Sequence, residues 1–311
     1  MIIYEREVYL VKFIEFAETI REELEELMKK ETTVSIHSIT KNNGVVLHGI
    51  TISAESRNIS PTIYLEEFYR DFLSGKKISE IVREIHGIYI NDTYKENIDI
   101  SFFTEFEKAK EKIVYKLVNY EKNKALLEEI PHVRYLDLAI VFQCIVKSRE
   151  LGNATILIRN NHLALWQKTG EEIYEIALKN TPEILPPDLR TMEEILGELY
   201  SFDNDEESFD ITAGIGQTGM YVLSNTKRLC GAGTILYSGV LKEFAKASQA
   251  DLIILPSSVH EVIILPAQNR YDRDNLKQMV SEVNETQVDA QEVLSDGVYL
   301  YLREADEVIL L

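Results

Sequence analysis

The stretch KNNG at residues 41–44 constrains the fold most, because it lies between two runs that are typical of β-strands. TVSIHSIT precedes it and VVLHGITIS follows it, and both runs are rich in β-branched and other apolar residues. Asn43-Gly44 is a favoured turn pair, so we predict an antiparallel hairpin. An antiparallel hairpin flanked by helical sequence indicates the α+β class.

Helical periodicity surrounds this hairpin. From Val8 to Lys30 apolar residues recur at spacings of three and four with acids between them, which predicts an amphipathic helix. A third short strand is predicted at residues 61–65, and two helical stretches follow that are broken at Ser74-Gly75. The order α-β-β-β-α-α therefore predicts an N-terminal α+β domain over residues 1–102.

The rest of the chain predicts a larger C-terminal domain. Residues 103–130 are charged and helically periodic up to Pro131, so we predict a connecting helix there. Residues 131–311 alternate strand-like and helical runs, which indicates an α+β domain with a mixed sheet. A strand is predicted to turn at Asn160-Asn161, and LIILP is predicted to pair with VIILP. Eight acids without Lys or Arg between Glu193 and Asp210 predict an acidic loop near residues 193–219.

Charge and hydropathy exclude several classes of protein. The 311-residue chain has a net charge of −19, whereas nucleic-acid binding draws its affinity from Lys and Arg, so direct binding of nucleic acid is not expected. No apolar run is long enough to cross a bilayer, and MIIYEREVYL has acids where a signal peptide carries bases. We therefore expect a cytoplasmic protein without membrane association. Cys144 and Cys230 lack CxxC spacing and are expected to be reduced, buried thiols.

No cofactor or metal site is predicted. GIGQTG at residues 214–219 matches the letters of the dinucleotide fingerprint, but it follows an acidic loop and precedes a strand-like run. His37 and His48 lie on the predicted hairpin without a third ligand. A second glycine group, CGAGTILYSG at residues 230–239, is expected to let a turn pack closely against a sheet.

The segment LPSSVHEVIILP at residues 255–266 holds the best local mix of reactive residue types. A serine nucleophile and a histidine base could be drawn from Ser258, His260 and Glu261, which are the catalytic candidates. A hairpin corner is the favoured interpretation, because no GxSxG elbow is present and strand neighbours point to opposite faces. The candidates for binding are Asn160, Asn161, His162, Asn284 and Glu285.

Several long phrases resemble an uncharacterised bacterial family of similar length that is common in gut-associated anaerobes. They run in order over nearly the whole chain and include KNNGVVLHGI, NISPTIYLEEFY, PHVRYLDLAIVF, GNATILIRNNHLALW, LPSSVHEVIILP and VNETQVDAQEVLSDGVYLY. The resemblance implies a cytoplasmic bacterial protein that is often encoded on mobile or accessory DNA. It implies no catalytic residue, substrate or cofactor.

Three functions follow as hypotheses. The leading one is an accessory protein that binds another protein without catalysis, since the sequence has no metal set, nucleotide loop or nucleophile elbow. The alternative is a small-molecule enzyme or hydrolase with a site near His260. The third is an acidic nucleic-acid mimic or anti-defence protein that occupies a basic partner. No partner identity or oligomeric state is predicted.

Overall fold

A computed structural model describes residues 2–28, 32–54, 60, 62–91, 101–148, 152–203, 219–256, 258–267 and 272–311. Its helices and antiparallel sheets confirm the predicted α+β class. The chain divides into two compact units. The first comprises Met1–Lys41, Val45–Ile100 and Lys147–Gly152, and the second comprises Asn42–Gly44, Ser101–Val146 and Asn153–Leu311. The boundaries 1–102, 103–130 and 131–311 stay predictions.

The first unit has the element order that was predicted. Its strands form an antiparallel sheet in the order β1-β2-β3, and the first helix begins six residues before the predicted Val8. The elements are α1 (Ile2–Leu27), β1 (Thr32–Thr40), β2 (Val46–Ala54), β3 (Thr62–Tyr64), α2 (Glu66–Leu73) and α3 (Ile78–Asn91).

One face of α1 builds the core of this unit. Phe13, Ala17, Ile20 and Leu24 are buried at spacings of three and four and pack with residues of the sheet and of α3. Burying a large apolar side chain contributes about 1.5–3 kcal/mol, so this face holds α1 in place. Ile14 fits the helical period by spacing alone, but it lies off the buried face and is 48% exposed.

The hairpin turn has the predicted chemistry. Asn43 and Gly44 both have positive φ, at 60° and 69°. Asn and Gly tolerate this region best, so both residues suit the three-residue turn Asn42–Gly44 that joins β1 to β2.

The remaining elements form two further sheets. One has six strands in the order β13-β12-β10-β11-β9-β8, and the other has the order β4-β6-β5 with β7 paired to β6. The strands are β4 (Ile113–Asn119), β5 (His132–Tyr135), β6 (Leu138–Ser148), β7 (Gly152–Leu157), β8 (Pro187–Thr191), β9 (Tyr221–Asn225), β10 (Leu252–Leu255), β11 (Val262–Pro266), β12 (Tyr299–Leu302) and β13 (Glu307–Leu310). The helices are α4 (Phe106–Ala109), α5 (Lys124–Leu127), α6 (Asn160–Trp166), α7 (Gly170–Ile184), α8 (Met192–Asp203), α9 (Val240–Ser248) and α10 (Arg273–Thr286).

The connecting helix predicted over residues 103–130 is wrong. Only short helical turns occur there, and β4 occupies Ile113–Asn119. Every side chain of β4 except that of Lys116 is buried, so the strand shows no polar alternation. The charged sequence before it carries a helical period that the chain does not follow past Lys112.

The structure also differs from two smaller predictions, one at Asn160-Asn161 and one in the acidic segment. The chain does not turn into a strand after Asn160-Asn161, because α6 begins at Asn160. In the predicted acidic loop, α8 extends to Asp203, while residues 204–218 with Gly214 and Gly216 lie outside the described residues. The predicted pairing of LIILP with VIILP is confirmed as the antiparallel pair β10 and β11. Among the described helices none has the length and apolar character to cross a membrane.

Candidate functional site

The loop between β10 and β11 uses its serine for its own backbone. Ser258 is 7% exposed and forms an isolated bridge with Val293. Its Oγ accepts a hydrogen bond from the backbone N–H of His260 at 3.0 Å. Ser257 lies outside the described residues. The described serine therefore stabilises the loop and is not hydrogen-bonded to the imidazole.

The backbone of His260 is fixed by a hydrogen bond, and its imidazole has a carboxylate neighbour. Its carbonyl accepts a hydrogen bond from Ser224 Oγ at 2.7 Å, and its Nε2 lies 3.5 Å from Glu292 Oε1. The Nδ1 atom is buried and has no hydrogen-bond partner among the described residues. The carboxylate beside the imidazole is thus Glu292, which sequence reasoning missed because no local pattern links it to His260.

Glu261 lies apart from this pair. It lines a cavity of about 20 Å³ together with Asp188 and Arg190, which has room for about one water molecule. A more open depression of about 580 Å³ is lined by residues that include Asp251 and Arg303. Neither cavity contains His260, so the structure does not gather Ser258, His260 and Glu261 into one catalytic set.

A tight turn packs against the His260 loop. A Cβ on Gly231 would lie 2.1 Å from Ser224 Oγ and 2.4 Å from the carbonyl oxygen of His260, so only glycine fits. The preceding residue, Cys230, has a positive φ of 51° and lies 3.9 Å from Nε2 of Gln143. This is the close approach that the sequence CGAGTILYSG was expected to allow.

Both cysteines are free and keep their protons at neutral pH. Burial raises the pKa of the Cys230 thiol, and nearby Lys116 opposes this shift only in part. Burial also raises the pKa of Cys144 to about 12. Because the thiolate is the nucleophilic form, neither cysteine is activated for covalent chemistry.

His162 and its neighbours form the start of α6. The backbone N–H of Arg159 donates to Nδ1 of His162 at 3.0 Å, and the His162 ring packs on Phe103 at a centroid distance of 4.7 Å. Burial and then the charge of Arg159 lower the pKa of His162. Asn160 is exposed and donates to the carbonyl of Glu128 at 3.2 Å. These contacts give a helix cap.

Asn161 and Trp166, both in α6, differ in how far their side chains are exposed to solvent. Asn161 is exposed. Trp166 is 6% exposed, and its Nε1–H donates to the carbonyl of Phe103 at 2.9 Å. The described contacts of His162 therefore belong to an aromatic cluster that shares no residue with the contacts of His260.

Asn284 and Glu285 lie side by side but have different environments. Asn284 is 6% exposed, and its Nδ2 donates to the carbonyl of Ser295 at 2.9 Å and to Asp296 Oδ1 at 2.7 Å. Glu285 is exposed on the outer face of α10. Asn284 therefore fixes the loop before β12. Among the described residues, no group of three His, Cys, Asp or Glu side chains could hold a metal ion.

The outer edge of β1 presents backbone groups without a strand partner. Residues in an antiparallel ladder alternate between pairs that exchange hydrogen bonds and pairs that do not. The N–H of Lys41 donates to the carbonyl of Val45 at 2.7 Å, so the alternation makes Val34, Ile36 and Ser38 point away from β2. In the described part of the chain β1 pairs with β2 alone. We call these outward groups the free edge.

The two edges of the six-stranded sheet, β8 and β13, differ from the free edge. β1 has nine residues without Pro, Asp, Glu, Lys or Arg. β8 begins with Pro187 and carries Asp188 and Arg190, whose side chains lie 3.1 Å apart. β13 has only four residues and begins with Glu307. Short strands, charges and proline protect an edge from pairing with other chains, and β1 has none of them.

The comparison with known proteins places the chain in a family. The model of a family of unknown function, DUF5688, matches residues 13–303. The chain belongs to DUF5688. This confirms the resemblance to an uncharacterised family over nearly the whole chain. Searches of curated proteins and of solved structures gave no match. The description of DUF5688 specifies no activity.

Proposed function

We propose that this protein is a binding module that takes up an extended segment of a partner protein along β1 and catalyses no reaction. It acts as an accessory or regulatory protein, which is the leading hypothesis from the sequence. The observation that carries the proposal is the free edge, the outward backbone groups of Val34, Ile36 and Ser38, which lies on a strand without charged residues or proline.

Strand addition explains why such an edge is retained. A bound segment gains main-chain hydrogen bonds along the edge, and its alternate side chains give specificity. Val34, Ile36 and Ser38 offer the backbone groups for these bonds. An unprotected edge also carries a risk of aggregation, which a specific partner removes by covering it.

The reactive side chains found in the sequence support a role without catalysis. The Ser258 hydroxyl accepts from the backbone of its own loop, and His162 caps a helix. The raised pKa of Cys230 keeps that thiol protonated. Ser258 and His162 thus accept hydrogen bonds from the backbone, whereas an enzyme's nucleophile or base would be available to substrate.

Selection from a random dodecapeptide display library tests the proposal. We expect enriched peptides that slow amide exchange at Val34, Ile36 and Ser38. Ser38→Pro removes an outward N–H and places the proline ring at the free edge, so it should weaken binding at least about tenfold. Ser38→Ala is the matched control, because it keeps the N–H and should bind like the original protein.

The fold of Ser38→Pro has its own measurement. Its N–H makes no bond to β2, so its thermal unfolding midpoint should stay close to that of Ser38→Ala. Enriched peptides that bind Ser38→Pro with unchanged affinity, or that protect a different region, would contradict strand addition at β1.

One observation favours a second candidate, an enzyme with its site near His260. Glu292 Oε1 lies 3.5 Å from Nε2 of His260, and a carboxylate beside an imidazole can orient a general base. The test is turnover of a panel of activated esters and thioesters. Activity that His260→Gln abolishes and His132→Gln preserves would support this candidate and contradict a role without catalysis.

A further inference from the structure

We infer that the segment bound at β1 is basic, carries apolar side chains at alternate positions, and comes from another protein rather than from a second copy of this chain. The inference rests on the proposed function and specifies its partner. Three features of the first unit carry it: the two faces of β1, the position of α1, and the charges on α1.

The faces of β1 set the side-chain pattern of the segment. Val34 is 4% exposed, and Ile36 is partly buried against the same core cluster beneath α1. A residue that pairs with Ile36 has its side chain on that face, where an apolar group covers Ile36. The opposite face of β1 carries Thr33, Ser35 and His37, so polar side chains suit the intervening positions.

The position of α1 decides between a single strand and a second copy. Among the strands of this sheet, α1 lies closest to β1. Two copies joined through β1 would place these strands about 4.8 Å apart, whereas a helix with its side chains is about 10 Å wide. Two copies paired with their α1 helices on the same face would therefore place both helices in competition for the space over the joined strands. A lone extended segment brings no helix and avoids this competition.

The charges near the free edge favour a basic segment. None of the residues of β1, β2 and β3 is charged, so the helix above them sets the local field. At about 100° per residue, each flank of α1 is acidic. Glu23 and Glu26 share one flank with Lys12, and Glu18 and Glu25 share the other with Arg21.

Among the described residues, the bases near β1 do not reverse that field; Lys29 and Lys30 lie outside the described part of the chain. Arg21 lies 2.7 Å from both Glu18 and Glu25, so its charge is balanced within α1. Lys41, at the end of β1, lies over the ring of Tyr64 at 4.6 Å, and Tyr64 belongs to β3 on the far side of β2. With a net charge of −19 on the whole chain, a cationic segment is attracted and an anionic one is repelled.

Four synthetic peptides of the length of β1 test the chemistry of the segment. Three carry Val and Ile at alternate positions, with Lys, Glu or Ser between them, and the fourth is a scrambled Lys peptide without alternation. In fluorescence anisotropy at low salt we expect the alternating Lys peptide to bind at least about tenfold tighter than the Glu peptide. The difference should shrink as salt screens the charges.

Paired variants locate the charge effect. Glu23→Gln with Glu26→Gln removes one acidic flank, and Glu18→Gln with Glu25→Gln removes the other. We expect one of these double variants to reduce the preference for Lys over Glu at least about threefold. Glu171→Gln with Glu175→Gln changes the same charge on exposed positions of α7 in the second unit and should leave the preference unchanged.

Each remaining outcome has a defined meaning. Equal binding of the Lys and Glu peptides, or of the alternating and scrambled peptides, would overturn the inference while peptides from the library still support strand addition. Sedimentation velocity should show a monomer; a dimer that Ser38→Pro abolishes would identify a second copy as the occupant and overturn it too. If neither the library nor the synthetic peptides bind, the proposed function fails as well.

Discussion

The His260 loop and the free edge of β1 differ in how they use their polar groups. The loop contains the residue types from which active sites are built, yet Ser258 and Ser224 both bond to the backbone of His260. β1 contains no charged residue, yet the backbone groups of Val34, Ile36 and Ser38 have no strand partner in the described part of the chain. Judged by residue type alone, the His260 loop is the better candidate for a functional site. Judged by hydrogen-bonding groups that have no strand partner among the described residues, the free edge is the better candidate.

The difference has an energetic consequence. Substitutions in the loop remove packing or hydrogen bonds that the fold needs, and they should cost stability. A change that removes only an outward backbone N–H of the free edge, such as Ser38→Pro, takes away a group that bonds to no strand in the described part of the chain, and it should leave stability nearly unchanged. The following measurements compare groups that the fold uses with groups that it leaves exposed, beginning with the largest effect.

Gly231→Ala should cause the greatest loss, about 3 kcal/mol of unfolding free energy, because the new methyl overlaps the carbonyl of His260. Urea denaturation measures it. Gly87→Ala is the matched control, since no atom lies within 4 Å of its Cβ position in α3. Ala is also the better helix former, so this variant should gain up to about 1 kcal/mol. Equal unfolding free energies of the two variants would show that the close packing of Gly231 against His260 does not contribute to stability.

Asn284→Ala should destabilise the protein by about 2 kcal/mol, because it removes two hydrogen bonds from a buried amide. Glu285→Ala changes the exposed neighbour and should stay within about 0.5 kcal/mol of the original protein. The urea midpoints of the two variants give the comparison. An equal and small effect would mean that Asn284 does not fix the loop before β12.

His162 should make stability depend on pH. Its folded pKa lies below the ordinary value of 6.5, so the unfolded chain binds more protons between these two values. This contribution is fully present above pH 6.5 and is lost as the pH falls through the folded pKa. Urea midpoints across this range should rise with pH, and His162→Gln should flatten that part of the curve. An unchanged slope in the variant would assign the dependence to another group.

The smallest energetic effect is expected at the free edge itself. The amides of Val34, Ile36 and Ser38 should exchange at least about tenfold faster than those of Ser35 and His37, which point toward β2. Amide exchange followed by NMR resolves these residues. Equal protection of both sets would show that the edge is covered, and strand addition there would lose its basis.

Local signals account for the parts of the fold that the sequence predicted. The spacing of Phe13, Ala17 and Ile20 forms one face of a helix, and Asn43-Gly44 has the backbone freedom that its turn requires. β4 was missed because its burial on both faces removes the alternation that marks a half-buried strand. Periodicity detects one-sided burial and fails where a strand is enclosed.

The candidate sites depended on long-range placement, which the sequence does not contain. Glu292 reaches His260 from a distant loop, and no spacing rule connects them. The charge-free character of β1 is visible in the sequence, but its position at the edge follows only from the order of strands in the sheet. The property that makes β1 a binding candidate is thus a property of the sheet.

The aromatic cluster around Trp166 provides a reporter for one unit. This is the chain's single tryptophan, and its ring packs on Phe103 at a centroid distance of 5.1 Å within the second unit. Intrinsic tryptophan emission therefore follows the melting of the second unit, while circular dichroism follows helices in both. If the two signals separate on heating, the units melt independently, and a ligand at β1 should shift only the transition that the emission does not see.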